Sequence, residues 1–183
     1  MTSESAINIL ELRGYGVGFA HKVVLAEIDL NIADRGVNVL LGPCGTGKST
    51  LLRTLAGHNN PNPSLRTWGE ASFLGAPLGG DELPALVGQS AKLMMSSVLE
   101  NLVCNLPERK TLSAAQQRAL AGRLLHDAGV DELAAQLDAP VVSLSLAQQR
   151  HVAVIRAAAA GPRLLCLDEP TANLDGRGVA LVH

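Results

Sequence analysis

The stretch Gly42-Pro-Cys-Gly-Thr-Gly-Lys48-Ser49-Thr50 decides the fold class of this chain. It fits the pattern G-x-x-x-x-G-K-[ST], the phosphate-binding loop known as Walker A. Glycines let such a loop curl tightly and turn its N–H groups toward the phosphates of a nucleotide. Lys48 adds a positive charge at the phosphate end, and the Ser49 hydroxyl offers an oxygen ligand to Mg²⁺.

The segments on either side of the loop argue against a glycine-rich turn with an unrelated lysine. The apolar run Val37–Leu41 precedes it and predicts a strand, and Ser49–Ala56 follows it and predicts a helix. A strand, a loop and a helix in this order place a helix N-terminus under the phosphates. We therefore assign these residues to nucleotide binding: Gly42, Pro43, Cys44, Gly45, Thr46, Gly47, Lys48, Ser49 and Thr50.

Composition limits the classes of protein to consider. The chain has 183 residues, 47% of them hydrophobic, and a formal net charge of −2. This is enough for one domain with a core, and it offers no basic footprint for nucleic acid. The N-terminus does not have the pattern of a signal peptide, and no apolar run is long enough to span a bilayer. Three widely spaced cysteines show no metal or disulfide pattern and favour a reducing cytosol.

The remaining segments predict an α/β protein with a helical insert. Ile7–Leu12 and Val23–Ile32 have strand patterns, and Glu70–Leu74 predicts one more short strand. From Val98 to Ala160 the pattern is helical. In that region we predict three helices, over residues 113–125, 131–137 and 147–160.

A second motif, Leu164-Leu-Cys-Leu-Asp168-Glu169-Pro170, places two carboxylates at the end of an apolar strand. In a nucleotide-binding protein, Asp168 would hold Mg²⁺, directly or through water. Glu169 would act as the general base for the attacking water. The alternative, a strand that ends in a solvated turn, is disfavoured because a Walker A motif lies upstream.

With these motifs the chain resembles the nucleotide-binding domain of ABC transporters. Val87–Gln89, followed by Ser97–Asn101, is similar to the Q-loop of that family and the segment after it. Leu144–Arg150 resembles the signature motif, and Thr171–Asp175 resembles the D-loop. The resemblance implies a P-loop NTPase core, mainly a parallel sheet with flanking helices, together with a small antiparallel β subdomain and an inserted helical subdomain.

The resemblance also implies domain limits and further site residues. One ABC-type domain would comprise the β subdomain and Walker A core (1–96), the helical subdomain (97–160) and the Walker B and D-loop segment (161–183). Gln89 would contact Mg²⁺ together with Ser49 and Asp168. Phe19, or else Tyr15, would stack on adenine. The alternative is a purely structural role, in which the ring only packs in the β subdomain. The signature residues that would contact ATP from the other subunit of a dimer are Ser145, Leu146, Ala147 and Gln148.

As a function, the resemblance implies the ATPase subunit of an importer, with ATP and Mg²⁺ as ligands. Its partners would be transmembrane permease subunits and a second nucleotide-binding domain, in a homodimer or a mixed pair, on the cytoplasmic face of the cell membrane. Residues 60–70 and 95–101 are most similar to phosphate-importer ATPases. The alternatives are a degenerate nucleotide-binding module with little or no turnover and, from another class, a small-molecule kinase with a P-loop.

The sequence departs from the family at two places. Leu146 and Ala147 stand where the signature usually has two glycines, which predicts a side-chain clash or the loss of a positive φ angle next to phosphate. In the family, the chain continues beyond the D-loop with a helix, a strand and a switch histidine. His183 lies too close to the D-loop in sequence to be that histidine. We therefore expect a truncated product, a fragment or a split domain.

Overall fold

The structure, a computed structural model, describes residues 8–89 and 93–169. The chain divides into two compact units, Met1–Leu86 and Val87–His183. The predicted D-loop, Thr171–Asp175, lies outside the described residues. Within the described ranges, none of the helices combines the length and the apolarity needed to cross a bilayer.

An antiparallel sheet forms most of the first unit. Its strands are β1 (Asn8–Phe19), β2 (Lys22–Ala33), β3 (Leu65–Phe73) and β4 (Ala76–Pro77), in the order β2-β1-β3-β4. The central strand β1 pairs with both β2 and β3. Its apolar side chains fill the core of this unit: Ile9, Leu10, Leu12, Tyr15 and Val17. The strands predicted from residues 7–12, 23–32 and 70–74 are therefore confirmed, and β1 and β3 are longer than predicted.

The helix α1 (Lys48–Leu55) directly follows the phosphate loop, as predicted. Leu51 and Leu55 are buried on one of its faces, and the helix packs against β1. Thr54 donates a hydrogen bond to the Thr50 carbonyl at 2.7 Å, within the helix. The helix thus fixes the C-terminal end of the loop on the sheet.

The predicted strand over Val37–Leu41 is wrong. These residues form no strand in the described part of the chain, and Val37 and Leu41 are 78% and 84% exposed. An apolar run becomes a strand only when neighbouring strands accept its backbone hydrogen bonds, and no described strand pairs with this run. Apolar periodicity indicates the preference for a strand but does not supply the partner.

Helices form most of the second unit. They are α2 (Val98–Val103), α3 (Ala114–Asp127) and α4 (Leu146–Ala159), joined by short 3₁₀ helices. The 3₁₀ helices span Pro107–Lys110, Asp131–Gln136 and Val141–Ser143. The predicted helices of residues 113–125 and 147–160 are confirmed, and the one at 131–137 is 3₁₀. Their apolar faces share one core, centred on Leu102, Leu125, Leu133 and Val152.

Two short strands carry the motifs that flank this helical region in sequence. They are β5 (Ala85–Val87) and β6 (Leu165–Leu167), and they pair in a two-stranded sheet. The Asp168 N–H donates to the Val87 carbonyl at 3.0 Å, a bond within the second unit. The residues after both strands, Gly88–Gln89 and Asp168–Glu169, therefore begin at a common edge.

Candidate functional site

The phosphate loop takes a path that requires glycine. Gly45 and Gly47 have φ angles of +82° and +92°, in the left-handed region that residues with a Cβ avoid. A Cβ on Gly47 would also lie 2.8 Å from a methyl carbon of Leu25 on β2. Glycine at position 47 therefore serves both the backbone angle and the close approach to the sheet.

Lys48 closes the loop from the first position of α1. Its ammonium donates to the carbonyls of Gly42 and Pro43, each at 2.7 Å. The Thr46 hydroxyl donates to the Pro43 carbonyl as well, at 2.9 Å. The helix has no side-chain cap from Gly47, so this N-terminus is suited to an anionic group. The loop thus presents a lysine and a helix N-terminus to one place, which fits a phosphate chain.

The two aromatic candidates in β1 differ in exposure. Tyr15 is 5% exposed, and burial raises the pKa of its hydroxyl. A ring in the core cannot stack on a nucleotide base, so the alternative role of Tyr15 is unsupported. Phe19 is half-buried at the end of β1, opposite Lys22, and its stacking role stays a prediction.

In the second unit, the structure brings together Gln89 and Glu169. The Gln89 amide nitrogen donates to the Glu169 carboxylate at 2.5 Å. Glu169 is exposed, whereas Asp168 beside it is 4% exposed. Glu169 also has a φ angle of +48°, an uncommon backbone conformation that in functional sites is held by its surroundings.

The donor set predicted for Mg²⁺ fits this cation. Gln89 bonds to Glu169 through its amide nitrogen, and its amide oxygen takes no part in this bond. Hydroxyl, carboxylate and amide oxygens, from Ser49, Asp168 and Gln89, are the hard ligands that Mg²⁺ prefers. Within the described residues, no group of three or more His, Cys, Asp or Glu side chains could hold a metal. The predicted ligand set therefore contains a single carboxylate, that of Asp168, and the cation site stays a prediction.

Arg150 holds the backbone next to this pair. Its side chain is 5% exposed and donates to the carbonyls of Gly88, of Asp168 at 2.7 Å and of Glu169 at 3.4 Å. From the sequence, Arg150 was only the last residue of the signature motif. A signal was present, since an arginine on the face of α4 that buries Val152, Ala153 and Ile155 must find polar partners.

The signature motif opens α4 with a capping box. Ser145 is the N-cap, its hydroxyl accepts from the Gln148 N–H at 3.2 Å, and the Gln148 side chain accepts from the Ser145 N–H at 3.0 Å. Leu146 is 69% exposed, and Ala147 is half-buried. Neither has a positive φ angle. The clash or the loss of a positive φ angle next to phosphate, which the sequence predicts at these positions, stays a prediction. Both are the first residues of helix α4. Of the two side chains, that of Leu146 is the larger addition relative to glycine.

The segment after the Q-loop is ordered by polar contacts of its own. Ser97 and Glu100 form a second capping box at the start of α2. Asn101 is fully buried, and its amide nitrogen donates to the carbonyls of Met95 and Ser97 at 2.9 and 2.8 Å. These contacts give Ser97–Asn101 a structural role that holds the chain before α2.

Comparison with known proteins agrees with these motifs. The ABC transporter family model matches residues 25–172. The spermidine/putrescine import ATP-binding protein of Mesoplasma florum is 34% identical over 92% of this chain and 47% of its own length. The Fe(3+) ions import ATP-binding protein of Streptomyces coelicolor has the same identity and shares of each chain. A phosphate import ATP-binding protein of Streptococcus pyogenes is 29% identical over 92% of this chain and 70% of its own length. The chain thus spans about half the length of the first two relatives.

The fold agrees with solved structures of the same kind. An ATP-binding cassette of an ABC transporter superposes with a TM-score of 0.74 at 20% identity, over 96% of this chain and 74% of that one. A metal-chelate type ABC transporter in an inward-facing conformation gives 0.69 at 21% identity, over 96% and 66%. The predicted fold class is therefore confirmed. With the phosphate loop, the Gln89–Glu169 pair, the signature helix and the family match over residues 25–172, the chain belongs to the ABC transporter family.

Proposed function

We propose that this chain is the ATP-binding part of an ABC importer, which binds and hydrolyses Mg-ATP to drive solute uptake through separate membrane subunits. The relatives support the direction of transport, because three of them are named as import ATP-binding proteins. In this proposal the chain works in a pair with a second nucleotide-binding domain, on the cytoplasmic face of the membrane.

The phosphate loop would bind the nucleotide. Lys48 now donates to the carbonyls of Gly42 and Pro43, and the same ammonium would turn its protons to phosphate oxygens when a nucleotide enters. The N-terminus of α1 would add its backbone N–H groups to the same anion. Phe19 would support the adenine ring by stacking.

One observation carries the hydrolytic part of the proposal, the bond from the Gln89 amide to the Glu169 carboxylate. An exposed carboxylate held by an amide keeps its second oxygen available to accept a proton from water. The water oxygen would then attack the terminal phosphorus, and the bond between that phosphorus and the bridging oxygen of ADP would break. Glu169 would hold the proton, and Gln89 would keep the carboxylate in place.

The nucleotide would bring Mg²⁺, which neutralises charge on the phosphate oxygens. In this proposal Ser49 supplies a hydroxyl, Asp168 a carboxylate and Gln89 its amide oxygen. Asp168 is suited to this because it directly follows β6 and carries a carboxylate, a hard oxygen ligand of the kind that Mg²⁺ prefers.

The transported solute is not set by the features described. Relatives of similar identity are named for spermidine and putrescine, for Fe(3+) ions and for phosphate. The phosphate assignment made from residues 60–70 and 95–101 therefore stays a prediction.

The test of hydrolysis is Glu169→Gln, which keeps the shape of the side chain and removes its basicity. Turnover should fall by about 10²–10⁴-fold, the usual contribution of a general base. Affinity for a fluorescent ATP analogue should stay within about twofold, because Gln still offers a polar partner to Gln89. Glu132→Gln is the control, an exposed glutamate in a 3₁₀ helix of the second unit, and it should leave both quantities unchanged. Equal turnover in Glu169→Gln and wild type would contradict the proposal.

A second function is favoured by one observation, the exposed Leu146 side chain where the family has glycine. In that reading the chain binds nucleotide without turnover and acts as a regulatory half-site. ATP binding with no turnover, both for the purified protein and together with its membrane partner, would favour this second function.

A further inference from the structure

We propose that Arg150 is a positioning residue that holds the backbone on both sides of the Gln89–Glu169 pair. It lies on the signature helix α4, and it would set the place of the carboxylate without touching the reacting atoms. The consequence for turnover rests on the proposed function, whereas the consequence for the backbone does not.

The Arg150 guanidinium donates hydrogen bonds to two segments of the chain. One terminal nitrogen donates to the Gly88 carbonyl, directly before Gln89. The other donates to the Asp168 carbonyl at 2.7 Å and to the Glu169 carbonyl at 3.4 Å. A planar fork can reach both sides at once, which the single ammonium of lysine cannot. Arg150 therefore joins the two segments that carry the paired side chains.

The backbone at Glu169 gives a reason for such support. A φ angle of +48° is disfavoured for a residue with a Cβ, and such a conformation persists when its surroundings hold it. The carbonyls of Asp168 and Glu169, on either side of that angle, are two of the three acceptors of Arg150. Without the guanidinium, the segment after β6 loses the contacts that favour this conformation, and the carboxylate loses its fixed distance from Gln89.

Arg150 is buried, so its terminal nitrogens bond to these protein acceptors and not to bulk water. The side chain is 5% exposed, and desolvation lowers its pKa, while the charges of Asp168 and Glu169 raise it. A buried cation is retained only where polar groups replace its water. The three carbonyls accept from the two terminal nitrogens, and the charges of Asp168 and Glu169 favour the cation, whereas the buried Nε has no hydrogen-bond partner among the described residues.

The first measurement separates kcat from KM. Arg150→Lys keeps the charge but not the fork, and it should lower kcat about tenfold while KM for ATP stays within about twofold. Arg118→Lys is the matched control, because Arg118 also donates two bonds, to Asp138, but is exposed. It should change neither quantity. A kcat of Arg150→Lys within twofold of wild type would overturn the proposal, and so would a loss that falls on KM alone.

The second measurement needs no turnover. The Asp168 N–H is bonded to the Val87 carbonyl, so its hydrogen exchange, followed by NMR, reports the edge that Arg150 holds. In Arg150→Lys this amide should exchange at least about tenfold faster, while amides of α3 keep their wild-type rates. Unchanged exchange at Asp168 would overturn the proposal, even if the protein hydrolyses ATP. Faster exchange in a protein without turnover would support the role of Arg150 and reject the proposed hydrolysis.

A second variant covers the case in which lysine is not tolerated in the buried site. Arg150→Gln removes the charge, keeps an amide donor and should give the same local increase in exchange at Asp168. If both variants unfold or lose protection throughout α3, Arg150 anchors the whole unit, and the proposal of a local positioning role is overturned.

Discussion

The phosphate loop and the Gln89–Glu169 pair are held by contacts of very different range along the chain. Lys48 bonds to carbonyls five and six residues before it. Gln89 and Glu169 are 80 residues apart, and Arg150 bonds to a carbonyl 62 residues before it. The loop is therefore shaped by its own sequence, whereas the pair is assembled by the fold of the second unit.

The difference concerns the range of the contacts and not the unit in which a motif lies. The signature capping box of Ser145 and Gln148 lies in the second unit, yet it closes over three residues. Motifs of this local kind should tolerate changes elsewhere in the chain, and the Gln89–Glu169 pair should not.

Lys48→Ala should have the largest effect. It removes the ammonium that closes the free loop and that would bind phosphate, so ATP affinity should fall by about a hundredfold or more, since bonds to charged groups are worth about 1.5–3 kcal/mol each. Titration with a fluorescent ATP analogue measures this. Lys110→Ala, in a 3₁₀ helix of the second unit, is the control and should bind normally. An unchanged affinity in Lys48→Ala would refute the role of the loop.

Much of what is local could be predicted from the sequence. The helix predicted over residues 147–160 begins one residue earlier, at Leu146. The helix that starts after Ser113 was predicted because a serine and a run of strong helix formers follow each other along the chain. The phosphate loop was found for the same reason, since the glycines at its tight positions are part of the motif. These features need no knowledge of distant residues.

What depends on distant partners could not be predicted in the same way. Val37–Leu41 has the apolar pattern of a strand, as Leu165–Leu167 has, but only the second run has a described strand beside it. Arg150 was not assigned a role because its acceptors, next to Gln89 and Glu169, come together only in the fold. His151 is 9% exposed because it lies on the inner face of α4, and the sequence shows no sign of this burial.

Gly47→Ala and Gly45→Ala test how local the loop is. Both residues have positive φ, so alanine should cost about 1–2 kcal/mol of unfolding free energy at either position. Gly47 has Leu25 of β2 within 2.8 Å of the added carbon, and Gly45 has open space. Gly47→Ala should therefore cost roughly 1 kcal/mol more, the lower end of the range for overpacking. Urea unfolding measures both, and equal losses would mean that the contact with β2 is easily relaxed.

Leu146→Gly should raise turnover by about tenfold at most, if a clash at the phosphate costs on the order of 1 kcal/mol. Because Leu146 has an ordinary helical φ, the obstacle would be its exposed side chain and not its backbone. Leu146→Ala should then raise turnover nearly as much as Leu146→Gly. A gain in the glycine variant alone would show that the backbone is the obstacle, and no gain in either would show that leucine is accommodated.

Ser145→Ala and Ser113→Ala should have the smallest effects on stability, and the pair separates structure from function. Both serines are N-caps of 14-residue helices with a glutamine at the third position, and both hydroxyls accept a backbone N–H, at 3.2 and 3.3 Å. Each change should cost about 1 kcal/mol in thermal or urea unfolding. Only Ser145→Ala should also lower turnover, because its hydroxyl would contact ATP across a dimer. If both variants lose stability equally and turn over equally, Ser145 is only a helix cap, and the signature role assigned to it is wrong.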